Sequence, residues 1–193
     1  MRALKEEKII HPIPPLYRED ARILILGSFP SVKSREAAFF YGHPQNRFWK
    51  VMAAVFDDEV PADVPQKREF LLRHQVAVWD VIHSCTIRGS SDASIKDVVP
   101  NDLTRILDHA QIRQIYVNGK TAEKMYKKYI EPTLGRTAVC LPSTSPANAA
   151  WSLERLTEAW SVIKGSGPQG NPAVLLFTRV QNLRDRRVTL RSR

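Results

Sequence analysis

At 193 residues with 43% apolar side chains, the chain is long enough to bury one substantial core, and no shift in composition marks a second. Two cysteines without a CxxC pair exclude a disulfide framework and a cysteine-held zinc or iron–sulfur site, and no run of about 18 apolar residues offers a membrane span. The formal charge of +9 favours a polyanionic partner, but residues 165 to 193 hold six arginines against one aspartate, leaving 23 basic and 19 acidic residues elsewhere. Charge alone therefore separates a nucleic-acid binder only weakly from an ordinary solvated surface. Cys85 and Cys140 read as inert, buried thiols. The N-terminus carries charges at Arg2, Lys5, Glu6, Glu7 and Lys8 where a secretory signal would be apolar, so a cytosolic protein is expected.

The elements follow in chain order. After a Pro-rich approach, the run at 22 to 26 predicts a first strand ended by Gly27. Phe48, Val51, Met52 and Val55 form the i, i+3, i+4, i+7 stripe of a helix over 47 to 56. A short helix at 67 to 73 and a second strand at 76 to 79 come next. Residues 100 to 110 predict a helix started by Asn101 or Asp102, 112 to 117 a third strand, and 121 to 129 another helix. A fourth strand at 139 to 141 and a closing helix at 152 to 163 complete the pattern.

Apolar runs alternating with helices are the mark of a parallel sheet with crossovers, so the expected fold is α/β, a three-layer α/β/α sandwich around a four-stranded parallel sheet. Residues 1 to 164 read as one domain. Beyond Lys164 a Gly- and Pro-rich stretch introduces a basic C-terminal appendage over 165 to 193, in which 174 to 177 has the composition of an edge strand.

Open parallel sheets bind ligands beyond the carboxyl ends of their strands, which directs attention to four loops. In the first, GlySerPheProSer at 27 to 31, Ser28 and Ser31 offer hydroxyls and nearby N–H groups to an anion or a base edge, or the loop serves only as a strand-to-helix turn. The segment 39 to 49, PhePheTyrGlyHisProGlnAsnArgPheTrp, is a poor helix and a poor strand. Its aromatics suit stacking on a nucleobase and Asn46 suits a base edge or a water. Alternatively Phe39, Phe48 and Trp49 are core and Asn46 caps the next helix, which leaves Tyr41 and His43 unexplained. Asn118, Gly119 and Lys120 form a loop too short for a Walker motif, and Lys120 there can equally cap a surface helix. LeuProSerThrSerProAlaAsnAla at 141 to 149 packs hydroxyls between prolines, as a phosphodiester site or a Ser-Pro capping turn.

Taken together, GlySerPheProSer, TyrGlyHisProGlnAsnArgPheTrp, TrpAspValIleHisSerCys, ValAsnGlyLys and LeuProSerThrSerProAlaAsn resemble the uracil-DNA glycosylase superfamily over about Ile23 to Trp160. The resemblance is strongest to the deoxyinosine (hypoxanthine) DNA glycosylases, with mismatch-specific uracil glycosylases as cousins. It implies a monomeric enzyme without cofactor or metal that flips a deaminated base out of DNA and hydrolyses its N-glycosidic bond. Such an enzyme would be cytoplasmic, and nucleoid-associated in a bacterium.

Most of the superfamily places Asp or Asn third in the first loop to orient water, where this chain has Phe29. The resemblance therefore implies that Asn46 takes over, with His43 as an assisting weak acid or a structural histidine. It implies that Tyr41 stacks on the base, with Phe40 or Phe29 completing the slot, Ser28 nearby, and Asn118 reading the base edge or bracing its loop. Asp80 orders solvent or braces the second loop, which His83 and Ser84 also line. Ser31, Arg47, Lys120, Ser143, Thr144, Ser145 and Asn148 are the implied DNA contacts. Three other functions use the same residues: a mismatch-specific uracil or thymine glycosylase, a non-catalytic lesion-binding module, and a small-molecule nucleotide hydrolase.

Overall fold

The computed structural model describes residues 6–89 and 91–165. The elements are β1 (Glu6–Ile10), β2 (Ile23–Gly27), α1 (Val32–Glu36), α2 (Phe48–Phe56), α3 (Val64–Arg73), β3 (Val76–Asp80) and β4 (Ile82–Arg88). After a 3-10 turn at Asp92–Ser94 come β5 (Lys96–Pro100), α4 (Thr104–Leu107), β6 (Gln114–Asn118), α5 (Lys120–Tyr129), α6 (Glu131–Leu134), β7 (Val139–Leu141) and α7 (Leu153–Trp160).

Four strands form a parallel sheet in the order β3-β2-β6-β7, flanked by helices as the α/β expectation requires. Leu24, Ile25 and Leu26 are all 0% exposed. Side chains on consecutive strand residues point to opposite faces, so β2 is covered on both, and continuous apolar runs are the result. Tyr116, Tyr126, Phe48, Phe70 and Trp160 are the largest buried residues around it.

Several boundaries move for local reasons. The helix expected at 67 begins at Val64, because the Asp63 side chain accepts from Gln66 N–H at 2.8 Å and Pro65 suits the first turn. The helix expected over 100 to 110 contracts to Thr104–Leu107. Asp102 accepts from Thr104 N–H at 3.0 Å, whereas Asn101 is buried and donates to the carbonyls of Asp80 and Ile82. The closing helix ends at Trp160 and tightens into a 3-10 turn over Ser161–Gly165. The edge strand expected at 174 to 177 lies outside the described residues, as does the appendage from 166 onward.

A second sheet, antiparallel and ordered β1-β4-β5, was not foreseen from the sequence. β4 leaves β3 after the single residue Val81, so the segment expected as a loop with His83 and Ser84 is a strand that carries the chain from one sheet to the other. Its pairing with β5 shifts register twice, which spoils the period-2 pattern that would have announced it. The joint is tightly tied: Val81 N–H donates to Gly27 O at 2.9 Å and Ile82 N–H to Ser28 O at 3.1 Å.

Candidate active site

Parallel register aligns the carboxyl ends of the strands. Gly27 pairs with Asp80, and Asn118 with Leu141. β2 lies between β3 and β6, at the point where the strand order reverses, which is where such sheets open a crevice. A cleft of about 640 Å³ occupies that place. Its walls are the first loop, the aromatic segment, the end of β3, the 3-10 turn at Asp92, the end of β6 and the loop after β7.

The floor is built around a missing side chain. A Cβ on Gly27 would stand 2.2 Å from Asp80 Oδ1, so glycine leaves room for that oxygen, with the Tyr41 hydroxyl in ordinary contact distance at 3.7 Å. Asp80 is 5% exposed, and its Oδ2 lies 2.7 Å from His11 Nε2. Phe29 and Phe40 are buried beside it, and Phe29 meets the His11 ring edge-on at 5.8 Å.

Tyr41 has φ of 51°, a left-handed conformation uncommon for an aromatic residue and characteristic of sites under constraint. Its ring stacks on Phe48 at 3.8 Å between centroids. The hydroxyl is buried without a hydrogen-bond partner. Burial raises its pKa, the negative charge of Asp80 adds to the effect, and Asn118 pulls the other way without making a bond, so the phenol keeps its proton. Gly42 N–H donates to Ser34 Oγ at 3.0 Å and ties this segment to α1.

Asn46 lies on the same wall. Its Oδ1 accepts from Phe48 N–H at 2.9 Å, so it caps the first turn of α2 from one position ahead of Arg47, which holds the N-cap place itself. That bond also settles which end of the amide is oxygen, and it leaves the Nδ2 group without an acceptor among the described residues. Capping and site roles thus coexist in one side chain. His43 accepts from Gln45 N–H through Nδ1 at 3.2 Å, which places the proton of the neutral ring on Nε2.

The opposite wall spends its polar groups internally. Asn118 donates from Nδ2 to Thr144 Oγ1 at 2.9 Å and accepts Thr144 N–H at 3.0 Å. Thr144 is 0% exposed, so it braces the loop and does not reach a phosphate. Arg47 donates to the carbonyls of Ser145 at 2.7 Å, Asn148 at 3.0 Å and Thr144 at 3.4 Å, and also to that of Trp151. Its guanidinium pins the 143–151 loop instead of facing outward. Asn148 donates to Ser143 O at 2.9 Å. Ser143 and Ser145 reach the cleft, and Gly119 is glycine because a Cβ there would stand 2.8 Å from Ser143 Cβ.

Of the residues expected at the site, Ser28, Phe29, Ser31, Phe40, Tyr41 and His43 line one side of the cleft. Asn46, beside Tyr41, lines it too, as do Asp80, Asn118, Ser143, Thr144 and Ser145. Arg47, Lys120 and Asn148 do not line it; Lys120 is exposed and pairs with Glu123 at 3.0 Å. Ser31 Oγ accepts Ser34 N–H at 3.2 Å and caps α1 from the cleft edge. His83 is exposed on β4, away from these walls.

Two residues passed unnoticed in the sequence. Asp92 reaches the mouth from the antiparallel sheet, with Ser28 Oγ 3.4 Å from its carboxylate. The residue is exposed overall, yet its carboxyl group is crowded by the cleft wall. Desolvation raises its pKa, Thr121 and Ser28 partly offset this, and Asp80 raises it further. The second is His11. Nothing local marks either one: Asp92 sits in a polar turn, and His11 precedes a proline in what reads as a linker. The cysteines are chemically quiet, Cys85 pushed up to about 11 and Cys140 to about 12, in both cases mainly by burial. No group of three or more potential metal ligands occurs among the described residues, and none of their helices is long and apolar enough to cross a membrane.

A family model described as "Uracil DNA glycosylase superfamily" matches residues 14–164. A hypoxanthine DNA glycosylase of Methanosarcina barkeri is 31% identical over 150 residues, spanning 77% of this chain and 93% of the relative. The protein of the same name from Methanosarcina acetivorans is 32% identical over 155 residues, spanning 78% and 94%. The solution NMR structure of a candidate uracil DNA glycosylase from Methanosarcina acetivorans superimposes with a TM-score of 0.70 at 29% identity, covering 82% of this chain and 99% of that one.

Proposed function

The chain belongs to the uracil DNA glycosylase superfamily, and on that premise we propose that it hydrolyses the N-glycosidic bond of a deaminated base flipped out of DNA, with hypoxanthine preferred. Extrusion costs a few kcal/mol of stacking and pairing, least at a mispaired lesion. Bond cleavage then separates an oxocarbenium-like sugar from a departing base anion, and the cleft must favour both.

The observation that carries this reading is the Asn46 amide on the cleft wall beside Tyr41, oriented by Phe48 N–H and with Nδ2 uncommitted. A carbonyl oxygen has two lone pairs. One holds Phe48 N–H; the other holds a water against the sugar, while Nδ2 donates to the leaving base. His43 Nε2–H supplies a second donor. Tyr41 meets the edge of the extruded ring, and Phe40 and Phe29 line the slot that receives it. Ser31, Ser143 and Ser145 meet the DNA backbone on a rim that Arg47, Thr144 and Asn148 hold in shape, with Lys120 contributing long-range attraction. The catalytic unit is one monomeric domain within residues 1–164.

Excision measured on duplexes and single strands containing hypoxanthine, uracil, xanthine or mispaired thymine tests the proposal. Hypoxanthine released fastest, with abasic DNA as product and formed far more slowly by Asn46→Ala, is expected. Faster release of uracil or thymine would make the chain a mismatch-specific enzyme, and tight lesion binding without any abasic product would make it a binding module.

A further inference from the structure

We infer that His11, which precedes the stretch matched by the family model, is a positioning residue that fixes the polarity of the cleft floor, so that Asp80 presents an acceptor which selects bases bearing a ring N–H. The inference rests on the glycosylase reading above and deepens it.

His11 is held from every side. Its side chain is 1% exposed, its N–H donates to His83 O at 2.6 Å, and its ring lies edge-on to Phe29 and Trp79. Nδ1 accepts from Ile13 N–H at 3.1 Å. A proton on Nδ1 would face that N–H donor to donor, so the neutral ring carries its proton on Nε2 and donates it to Asp80 Oδ2 at 2.7 Å. One carboxylate oxygen is thereby consumed, and the direction of the other is set.

The other oxygen, Oδ1, stands over Gly27 and has no donor among the described residues. The Tyr41 hydroxyl beside it is buried and equally unpartnered. A buried phenol without a partner, beside a carboxylate oxygen that no donor among the described residues takes, points to a ligand that satisfies both. A lactam does so. Hypoxanthine offers N1–H to the carboxylate oxygen and O6 to the phenol proton, whereas adenine presents a lone pair at N1 and an amino group at C6. Uracil differs from cytosine in the same way at N3. Guanine shares the N1–H and lies beyond the reach of this contact.

The role of His11 gives a specific expectation for Asp80→Asn, which is isosteric. Because Nε2–H still requires an oxygen, the new amide must place Oδ1 against His11 and turn its NH2 group into the cleft. Acceptor becomes donor. A base with an acceptor at N1 then fits better, and one with N1–H fits worse.

Single-turnover release of hypoxanthine and of unsubstituted purine, which has a lone pair at N1, is measured for the unaltered protein and for Asp80→Asn, with thermal midpoints recorded alongside. The unaltered protein should favour hypoxanthine, and Asp80→Asn should lower the hypoxanthine-to-purine ratio by about 100-fold or more. Adding His11→Phe, which keeps the ring packing but removes the donor, frees the introduced amide at position 80 to rotate and should recover part of that ratio. Equal release of both bases by the unaltered protein overturns the inference, even if the variants fail to fold. An unchanged ratio in a folded Asp80→Asn protein, or no recovery in a folded double variant, also overturns it. Failure of the unaltered protein to release any base would instead sink the glycosylase reading itself.

Discussion

The two walls of the cleft use similar residues to opposite ends. Segment 39–46 leaves its polar groups open: the Tyr41 hydroxyl has no partner, Asn46 has committed only its oxygen, and His43 only its Nδ1. Segment 143–151 commits nearly all of them, through Asn118 to Thr144 and Arg47 to four carbonyls. Residue type does not separate the two cases, because Asn46 and Asn118 are chemically the same. What separates them is whether the donors and acceptors are matched within the protein. One wall keeps polar groups that a ligand could take, and the other is its frame.

The sharpest test of that contrast is a pair of substitutions at Asn46. Asn46→Ala removes both the cap and the amide, and should lower base release by about 10²–10⁴-fold while costing about 1 kcal/mol of stability. Asn46→Ser restores a capping oxygen without the amide, so the thermal midpoint should return and the activity should not. If both return together, capping was the whole role.

Next in size is Arg47→Ala. Losing charge-assisted bonds to four partly buried carbonyls should cost about 2–3 kcal/mol and lower the thermal midpoint by about 5–10 °C. The salt dependence of DNA binding gives the discriminating readout. A frame residue leaves the slope of log K against log salt unchanged, whereas a phosphate contact would reduce it by about 1.

The smallest effect is expected from pH and Asp92. Its pKa is raised in the folded protein, so its contribution is full below the unfolded carboxylate range near about 4 and is lost as pH rises through the folded value. Asp92→Asn should therefore raise the thermal midpoint slightly at pH 7 and leave it unchanged at pH 3. Asp20 behaves with the reverse sign. Held at about 2 by hydrogen bonds from Arg18 and Gln75, it contributes above the unfolded value and loses that contribution as pH falls toward 2. A midpoint at pH 7 that Asp92→Asn lowers would show the carboxylate to be a satisfied brace and not a strained one.

The parallel sheet was legible because strands buried on both faces read as unbroken apolar runs, as in IleLeuIleLeu and ValAlaValTrp. The antiparallel sheet was not. β1 reads GluGluLysIleIle and is mostly exposed, and β4 is interrupted by shifts in register. The cleft residues that lie within recognisable motifs were found, whereas His11 and Asp92 arrive from that second sheet as single polar residues whose meaning depends on partners 69 and 64 positions away. The part of Arg47 was hidden for the same reason. An arginine beside an expected DNA site invites a phosphate, and only the fold reveals carbonyls about a hundred residues downstream taking its donors.

The joint at Val81 bears on how a base is received. The carbonyls of Gly27, Ser28, Asp80 and Ile82 around it are all hydrogen-bonded, by Val81, Ile82 and Asn101, so Asp80 stands on a hinge with no play. Freedom at this spot is given up when the chain folds and not when a nucleotide arrives. An incoming ring therefore meets a surface already in shape, and its stacking energy goes into alignment instead of rearranging the receptor.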